Sequence, residues 1–394
     1  MPSKDIELNS ASDCADPSYR RSVSITVNLD TLRRNLATAR RLSAGSKQFA
    51  TIKADAYGHG AVAVAQALSS IEWQKSCLDW VPATAEPENG NADGFAVVTL
   101  GEAMELRESG IEQPVLVLQG PQNSGACESM REHNLWPVIH DIDQYNWYRE
   151  QSNCRSLKAW LKVDSGMGRL GVQPVQASRI LNTQDNVSWM GLMTHFACSD
   201  EVDNPFTDQQ LAVFNSVESD QPLSRSLANS SAVLAWPQTR ADWARPGIML
   251  YGCNPLDREL PPGISLEPAM RVQAPVISIK QISAGSSIGY AQRYFCAEDM
   301  PVAYIALGYR DGLPRVLDES ASVVLQGQPC PIIGRVSMDS IAVDLRPVPR
   351  VGLGTMAEFW GAEASINALA QAAGTINYEL LTSIRGRRIY VTDS

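Results

Sequence analysis

Strand-like and helix-like patterns alternate along most of this chain, from about residue 24 to residue 252. Short apolar runs such as FAVVTL and PVLVLQG are typical of buried strands, and the segments between such runs, for example GEAMELRESG and DQQLAVFNSV, follow a helical pattern. Repetition of this kind predicts a parallel sheet covered by helices. It favours a parallel barrel over an open sheet, although alternation alone does not separate the two.

The pattern changes after about Leu266. RVQAPVISIKQI, PVAYIALGY, SASVVLQGQ, CPIIGRV and SIAVDL read as strands joined by short turns, and only INALAQAAG and YELLTSI look helical. We therefore predict an α/β domain over residues 23–266 and a mostly antiparallel β domain over residues 267–394. Residues 1–22 lack periodicity and are predicted to be a mobile tail, and residues 71–90, with two tryptophans and two prolines, are predicted to be an insertion.

The composition excludes several classes of protein. With 394 residues, 44% of them hydrophobic, the chain can bury a sizeable core. No apolar run approaches the roughly 20 residues that span a membrane, and the polar first residues do not resemble a signal peptide, so we expect a cytoplasmic protein without a membrane partner. A net charge of -10 argues against a nucleic-acid partner, and eight cysteines without CxxC spacing predict reduced thiols and no metal site.

The segment FATIKADAYGHG, residues 49–60, carries the first candidate reactive group. Its apolar half reads as a buried strand, which Gly58 and Gly60 interrupt before the helical pattern AVAVAQAL. Lys53 therefore lies at the carboxyl end of a strand, where α/β folds expose reactive groups. Loss of hydration there disfavours the ammonium ion, and the neutral amine can add to a carbonyl as a Schiff-base lysine. The alternative is a strand-end lysine that extends to solvent.

Further motifs follow in an order that carries a family resemblance. After KADAYGHG (53–60) come KVDSGMGRLGV (162–172), THFACSDE (194–201), ANSSA (228–232), ARPGIMLYG (244–252), IGYAQRY (288–294), GYRDGLPR (308–315), GRVSMD (334–339) and YELLT (378–382). From about residue 24 to 391 the chain resembles the alanine racemases, two-domain enzymes that use pyridoxal 5'-phosphate. The resemblance implies an N-terminal (β/α)8 TIM-type barrel that binds this cofactor and a C-terminal, mostly antiparallel β domain.

The resemblance also implies a two-base reaction. Pyridoxal phosphate accepts the electrons that are left when an amino acid loses its α-proton. Racemisation needs one proton removed from one face and another returned to the opposite face, and the resemblance assigns these tasks to Lys53 and Tyr290. A phenol ordinarily titrates near 10, so Tyr290 needs cationic or hydrogen-bonding neighbours to act near neutral pH.

The remaining site residues are assigned by the same resemblance. Arg245 would face the ring nitrogen of the cofactor, and His195 would lie against the ring. The phosphate would be bound by Tyr57, Ser230, Tyr378 and the backbone amides of Gly247 and Ile248, with Asn229 as a supporting residue. Two departures from the family pattern are Ser226, where many relatives carry a histidine, and Ala291, where many carry a glycine.

Substrate contacts are expected from both domains. Arg169 would hold the substrate carboxylate and the phenolic oxygen of the cofactor, Met338 would offer a backbone donor, and Tyr309 would stand near the entrance. Lys162 resembles a lysine that is carbamylated in many relatives, and the alternative is a buried lysine paired with Asp164.

The implied function is interconversion of L-alanine and D-alanine, supplying D-alanine for peptidoglycan, by a head-to-tail homodimer with shared active sites. Three alternatives stay open. The first is a serine or broad-specificity racemase of the same architecture. The second is a barrel-type amino-acid decarboxylase, which would be expected to offer a carboxylate to the ring nitrogen and a cysteine from the β domain. The third is a cofactor carrier without catalytic activity.

Overall fold

The computed structural model describes residues 23–43, 45–69, 90–150, 157–185, 187–348 and 350–393. The predicted tail at 1–22 and the predicted insertion at 71–90, apart from its last residue, lie outside the described residues. Within the described ranges no helix is long and apolar enough to cross a membrane.

Eight parallel strands form a closed barrel, each paired with the next along the chain and the last paired with the first. The predicted N-terminal barrel is thereby confirmed. The strands are β2 (Lys47–Thr51), β3 (Gly94–Val97), β4 (Val115–Val117), β5 (Trp136–Ile139), β6 (Leu157–Lys162), β7 (Val187–Met193), β8 (Ser224–Ser226) and β9 (Trp243–Ala244).

Helices follow the barrel strands and cover them. They are α1 (Leu29–Leu42), α2 (Lys53–Gly58), α3 (Ala61–Ala67), α4 (Leu100–Glu108), α5 (Ser124–Glu132), α6 (Ile142–Arg149), α7 (Pro174–Leu181), α8 (Phe206–Asn215) and α9 (Ser230–Ala235), with 3-10 turns at Pro237–Thr239 and Ile248–Tyr251. Side-chain caps fix several starts: Asn28 accepts from the backbone N–H groups of Asp30 and Thr31, and Thr99 forms a capping box with Glu102 at the start of α4.

Aromatic rings fill the barrel interior below the carboxyl ends of the strands. Phe49 stacks on Trp243 with ring centroids 3.9 Å apart, and the rings of Trp136 and Trp160 meet Phe49 edge-on at 6.0 and 5.9 Å. Gly94 makes room for this packing, because a Cβ at that position would lie 2.9 Å from the Phe49 ring. The interior at this level is therefore a solid apolar core.

The second domain is built on an eight-stranded sheet in the order β13-β16-β15-β14-β17-β10-β1-β18. Because β10 also pairs with β13, six of these strands close on themselves. Most pairs are antiparallel, as predicted. The elements are β1 (Ser24–Asn28), β10 (Met270–Ile282), β11 (Ser287–Ile288), β12 (Tyr294–Phe295), β13 (Met300–Ile305), β14 (Ser322–Leu325), β15 (Gln328–Ile333), β16 (Ile341–Asp344), β17 (Met356–Trp360), α10 (Ile366–Ala372), α11 (Asn377–Ser383) and β18 (Arg388–Val391), with 3-10 turns at Tyr290–Gln292 and Tyr309–Asp311.

The first strand corrects one expectation. Residues 23–28 were predicted as part of the barrel domain, but β1 pairs with β10 and β18 in the second sheet. The burial of β1 alternates along the strand, with Ile25 and Val27 fully buried, whereas β3 is buried at every residue, as a barrel strand covered by helices must be. The predicted boundary at 266/267 stays a prediction.

Candidate active site

A cavity of about 310 Å³ opens at the carboxyl ends of the barrel strands. Residues from most barrel strands and one from α11 line it: Thr51, Lys53, Tyr57, Val98, Leu118, Gln119, Lys162, Arg169, Leu170, Met193, His195, Asn229, Ser230, Arg245, Gly247, Ile248 and Tyr378. This volume and position are typical of a small-molecule site in a (β/α)8 barrel.

The structure brings most of the predicted site residues together on this cavity. The predicted residues that line it are Lys53, Tyr57, Lys162, Arg169, His195, Asn229, Ser230, Arg245, Gly247, Ile248 and Tyr378. Of the four from the β domain, Tyr378 lines it and three do not: Tyr290, Met338 and Tyr309 are exposed on the surface of their own chain, at 67%, 50% and 38% of their area.

Lys53 begins a turn of unusual hand. The four residues that follow it, Ala54, Asp55, Ala56 and Tyr57, have φ between 52° and 54° and ψ between 42° and 53°, which is a left-handed helical turn without glycine. Such a conformation costs about 1–2 kcal/mol per residue and persists only where its surroundings impose it. One such contact comes from the start of α4, where Glu102 Oε1 accepts the backbone N–H of Ala54 at 2.8 Å.

His59 supports the same turn from inside the protein. Its side chain is fully buried, and Nδ1 lies 3.0 Å from the carbonyl oxygens of both Ala56 and Tyr57. Because both neighbours are acceptors, Nδ1 carries the proton. Burial lowers the pKa of His59 to about 4, so the imidazole is neutral and acts as a structural donor.

Two lysines of the cavity are poised to lose their protons. Loss of hydration lowers the pKa of Lys53, as the sequence predicts, and the charges of Arg169 and Arg245 lower it further. Lys162, the last residue of β6, is buried, and loss of hydration together with the same arginines lowers its pKa to about 7. Part of the Lys162 amine is therefore neutral and nucleophilic near physiological pH, and Lys53 loses its proton more readily than an exposed lysine does.

Arg245 is buried and its guanidinium is held on several sides. It donates to the carbonyl and the hydroxyl oxygen of Ser226 at 2.7 Å each, to the Thr194 carbonyl at 2.5 Å and to the Leu227 carbonyl at 3.3 Å. Burial lowers its pKa to about 10, so it stays charged. His195 Nδ1 lies 3.5 Å from an Arg245 nitrogen, and loss of hydration and nearby cations hold the pKa of His195 well below its usual value. A neutral imidazole therefore accepts from a fixed cation.

Hydroxyl groups gather at one end of the cavity. Ser230 Oγ accepts the backbone N–H groups of Gly247 and Met249 at 2.8 and 3.3 Å, so its own proton is available to a ligand. Burial raises the pKa values of Tyr57 and Tyr378, which keeps both phenols protonated as donors. A Cβ on Gly247 would lie 2.7 Å from Tyr57 Oη, so only glycine lets the backbone approach this cluster so closely.

Asn229 has a different task from these donors. Its Oδ1 accepts the backbone N–H of Ala232 at 3.0 Å and the hydroxyl of Ser199 at 3.0 Å, so it caps the N-terminus of α9. In this way Asn229 fixes the position of the adjacent Ser230, as the supporting role predicts.

The exposed residues of the β domain lie on loops tied to one another. The backbone N–H of Tyr309 donates to the Ser337 carbonyl at 3.0 Å, and that of Arg310 donates to the Met338 carbonyl at 3.1 Å, so Tyr309 and Met338 belong to paired loops. Gly289, immediately before Tyr290, packs near the backbone of Arg335. The three predicted residues are thus presented together on an outward face of the domain.

Several residues of the site were not predicted. On the cavity wall these are Thr51, Val98, Leu118, Gln119, Leu170 and Met193. Five of them end a barrel strand or follow one within two residues, so the strand-end rule that located Lys53 could have found them, whereas Leu170 lies farther along the loop after β6. Glu102 was also missed, although its spacing from Thr99 is a recognisable capping box.

The charge of the cavity lining restricts its ligand. The lining contains Lys53, Lys162, Arg169 and Arg245 and, among the described residues that line it, no aspartate or glutamate. Clustered cations at low hydration raise one another's electrostatic energy unless an anion offsets them. With hydroxyl donors from Tyr57, Ser230 and Tyr378 and a lysine amine beside these cations, the lining suits an aldehyde with a phosphate group and a carboxylate substrate.

Comparison with known proteins agrees with this geometry. Residues 27–78 and 74–255 match the family "Alanine racemase, N-terminal domain", and residues 269–391 match "Alanine racemase, C-terminal domain". The chain belongs to the alanine racemase family. Members of this family are isomerases that act on amino acids. Similar curated proteins include the alanine racemase of Azoarcus sp., 41% identical over 93% of this chain and 98% of the relative, and a catabolic alanine racemase of Pseudomonas aeruginosa, 39% identical over 92% and 97%.

Solved alanine racemase structures share the whole fold. The biosynthetic alanine racemase of Pseudomonas aeruginosa superposes with a TM-score of 0.82 at 35% identity, covering 95% of this chain and 100% of that one. The enzyme of Acinetobacter baumannii gives 0.83 at 33% identity over 95% and 100%. That of Bartonella henselae, with covalently bound pyridoxal phosphate, gives 0.81 at 25% identity over 94% and 99%.

Proposed function

We propose that this protein interconverts L-alanine and D-alanine with pyridoxal phosphate attached covalently to Lys53. The observation that carries the proposal is the cavity itself, in which Lys53, with its lowered pKa, shares the lining with three other cationic side chains and, among the described lining residues, no acidic one. The hydroxyls of Tyr57, Ser230 and Tyr378 and the close backbone at Gly247 and Ile248 fit a phosphate group.

When bound, the cofactor supplies a conjugated ring that accepts the electrons of the substrate's α-carbon. Arg245 would face the ring nitrogen. Because an arginine with a pKa of about 10 keeps its proton at neutral pH, it would donate to that nitrogen without protonating it, which would limit side reactions. His195 keeps the guanidinium in place, and Arg169, exposed at the rim, is available to the substrate carboxylate.

The second base would be Tyr290 from another copy of the chain. Tyr290, Met338 and Tyr309 are exposed and do not line the cavity of their own chain, so a head-to-tail dimer would bring them to the cavity of the partner. Lys53 would then remove or return the proton on one face of the α-carbon, and Tyr290 of the partner subunit on the other. Met338 and Tyr309 would close the mouth over a small side chain.

Lys162 would carry a carbamate. Its neutral amine, available because its pKa is about 7, adds to carbon dioxide, forming an N–C bond and releasing one proton. The product is an anion between Arg169 and Arg245, where it offsets part of the positive charge of the lining. The alternative pairing of Lys162 with Asp164 is less favoured, because Asp164 Oδ1 accepts instead from the backbone N–H groups of Gly166 and Gly168 at 3.0 and 3.1 Å.

The physiological role would be supply of D-alanine for peptidoglycan in the cytoplasm. A decarboxylase is disfavoured, because Arg245 and not a carboxylate would face the ring nitrogen, and the β-domain loop that carries Met338 offers Ser337 instead of a cysteine. Turnover of L-alanine, L-serine and bulkier amino acids side by side distinguishes an alanine racemase from a broad-specificity one. Complementation of a D-alanine-requiring bacterial strain tests the role.

The decisive experiment removes Lys53. Lys53→Ala is expected to abolish both the visible absorbance of bound pyridoxal phosphate and racemisation of alanine, by at least about 10³-fold in kcat/KM, because nucleophile and base are lost together. Lys158→Ala, on an exposed lysine of β6, is the matched control and should behave as the wild type. Borohydride reduction followed by peptide mass spectrometry should place the cofactor on Lys53. Racemisation retained by Lys53→Ala overturns the proposal.

A further inference from the structure

The last strand of the chain contacts the left-handed turn that carries Lys53. Arg388, the first residue of β18, donates from Nε to the carbonyl oxygen of Gly58, and its Nη2 lies 3.0 Å from Asp55 Oδ2. The Arg388 guanidinium therefore contacts the turn at two points: Asp55, its second left-handed residue, and Gly58, its last residue. Asp55 links the turn onward, because its Oδ1 accepts the backbone N–H of Ala61, the first residue of α3, at 2.8 Å.

The turn has little room to move away from this strand. A Cβ on Gly58 would lie 2.1 Å from the Leu381 carbonyl oxygen in α11, and one on Gly60 would lie 2.0 Å from Tyr390 Oη in β18. The backbone at both glycines is therefore packed directly against the β domain. The β domain supplies the back wall of the lysine turn, although its predicted catalytic residues lie elsewhere.

Arg388 is itself held in place by the sheet and by the end of the chain. Strand β18 pairs in parallel with β1, with Arg388 opposite Ile25 and Tyr390 opposite Val27. Beyond the strand, the backbone N–H of Asp393 donates to Asp30 Oδ2 at 2.9 Å. These contacts fix the backbone of the strand at both ends, and the guanidinium itself is held by the Gly58 carbonyl and by Asp55.

We propose that Arg388 is a positioning residue that, through Asp55 and the Gly58 carbonyl, holds the left-handed turn so that Lys53 points into the cavity to receive pyridoxal phosphate. This inference rests on the proposed function. Without the guanidinium, the four turn residues lose contacts that hold them in a disfavoured conformation, and they relax toward right-handed or extended backbone. Lys53, which is the first residue of the turn, and Tyr57, which is the fourth residue of its left-handed run, move with the turn.

The step that depends on this position is attachment of the cofactor. Lys53 Nζ forms a bond to the aldehyde carbon, the aldehyde oxygen leaves as one water, and nothing is oxidised or reduced. A misplaced amine slows this step even when the protein is folded and its cations are intact, because orientation contributes to the rate separately from chemistry.

The test measures attachment instead of turnover. Cofactor-free protein is mixed with pyridoxal phosphate, and the rate of linkage to Lys53 is followed by visible absorbance and by borohydride trapping with peptide mass spectrometry. Arg388→Ala should slow the linkage roughly 10- to 100-fold, the range expected for a displacement near 1 Å. Arg388→Lys should recover part of the rate, since an ammonium can meet one acceptor but lacks the planar fork that meets both. Arg387→Ala, an exposed arginine beside it, should stay within about twofold.

A second variant covers the case in which Arg388→Ala does not fold. Asp55→Asn keeps the Oδ1 acceptor for Ala61 and removes the charge that faces Arg388, and it should also slow the linkage. If both act through one contact, the double variant should be no slower than Arg388→Ala alone. This inference is overturned if the rate losses of the two single variants multiply in the double variant. It is also overturned if folded Arg388→Ala links pyridoxal phosphate at the wild-type rate. Failure of the wild type itself to link pyridoxal phosphate to Lys53 refutes the proposed function instead.

Discussion

The barrel and the β domain offer two halves of a site that are built in opposite ways. In the barrel, Arg245 is buried and donates to three carbonyl oxygens and a hydroxyl, and the pKa values of the neighbouring lysines are lowered. In the β domain, Tyr290 and Met338 are at least half exposed. The difference fits the proposed division, in which one chain would hold the cofactor by itself and the exposed groups would complete the site of a partner subunit.

The sharpest test of this division is Tyr290→Phe. The variant should bind pyridoxal phosphate normally yet lose roughly 10²- to 10⁴-fold in kcat/KM, the usual contribution of one acid–base group. The loss should be equal in both directions, because the two enantiomers have the same free energy. In deuterium oxide, exchange of the α-hydrogen should persist for one enantiomer only, since Lys53 still serves one face.

The control for this variant is Tyr294→Phe, in the same hairpin, whose phenol donates to Met300 Sδ. It should retain wild-type turnover. Unchanged α-hydrogen exchange from both enantiomers in Tyr290→Phe contradicts the assignment of Tyr290 as the second base.

A substitution in the barrel half should instead weaken the binding of pyridoxal phosphate. Gly247→Ala places a Cβ 2.7 Å from Tyr57 Oη and should displace that phenol from the phosphate. Loss of one hydrogen bond to a charged group is worth about 1.5–3 kcal/mol, so the dissociation constant of pyridoxal phosphate should rise roughly 10- to 100-fold. This dissociation constant is measured by equilibrium dialysis of protein that has not been treated with borohydride. Gly352→Ala, in open space, should leave the affinity unchanged, and equal affinities for both variants would remove Gly247 from the phosphate site.

Mixing two inactive variants tests whether the halves come from different chains. Lys53→Ala and Tyr290→Phe subunits, allowed to exchange at equal concentrations, form mixed dimers that contain one complete site each. Random pairing makes half of the dimers mixed, so activity should recover to about a quarter of the wild-type value. No recovery, after mass spectrometry has verified subunit exchange, would mean that each chain builds its site alone.

The smallest expected effect concerns Lys162. Its pKa of about 7 is depressed, so the amine is mostly protonated below that value and mostly neutral above it. Buffer freed of carbon dioxide should lower kcat/KM a few-fold, since part of the positive charge of the lining is then no longer offset. Carbon dioxide supplied at a fixed partial pressure should restore activity, faster as pH rises from about 6 to 8, because more of the amine is then neutral. A ¹³C carbamate signal absent from wild-type protein, or present in Lys162→Arg, counts against the assignment.

The sequence alone was sufficient to predict most of the barrel strands and the position of Lys53, because both depend on local patterns, but the three-residue strand β8 (Ser224–Ser226) was missed. Strands β17 and β18 were missed, and β1 was placed in the wrong domain, because these strands are short and their partners are distant in sequence. Pairings of that kind leave no periodicity in the chain itself.

The hand of the turn after Lys53 could not be predicted either. Its left-handed residues are alanine, aspartate and tyrosine, which carry no glycine signal, and the turn is imposed by contacts from Glu102, His59 and Arg388. The two departures from the family pattern differ in their consequence. Ser226 Oγ accepts a hydrogen bond from Arg245, whereas Ala291 has a φ of 58°, a left-handed conformation that glycine adopts without strain and alanine does not.

The packed rings of Phe49, Trp136, Trp160 and Trp243 close the barrel interior below the carboxyl ends of its strands. Substrate, product and water must all use the rim, so no molecule can pass through from one end to the other. In an assembly whose partner subunit covers the rim, substrate enters and product leaves through the same opening. The rate at which that opening forms then sets an upper limit on turnover.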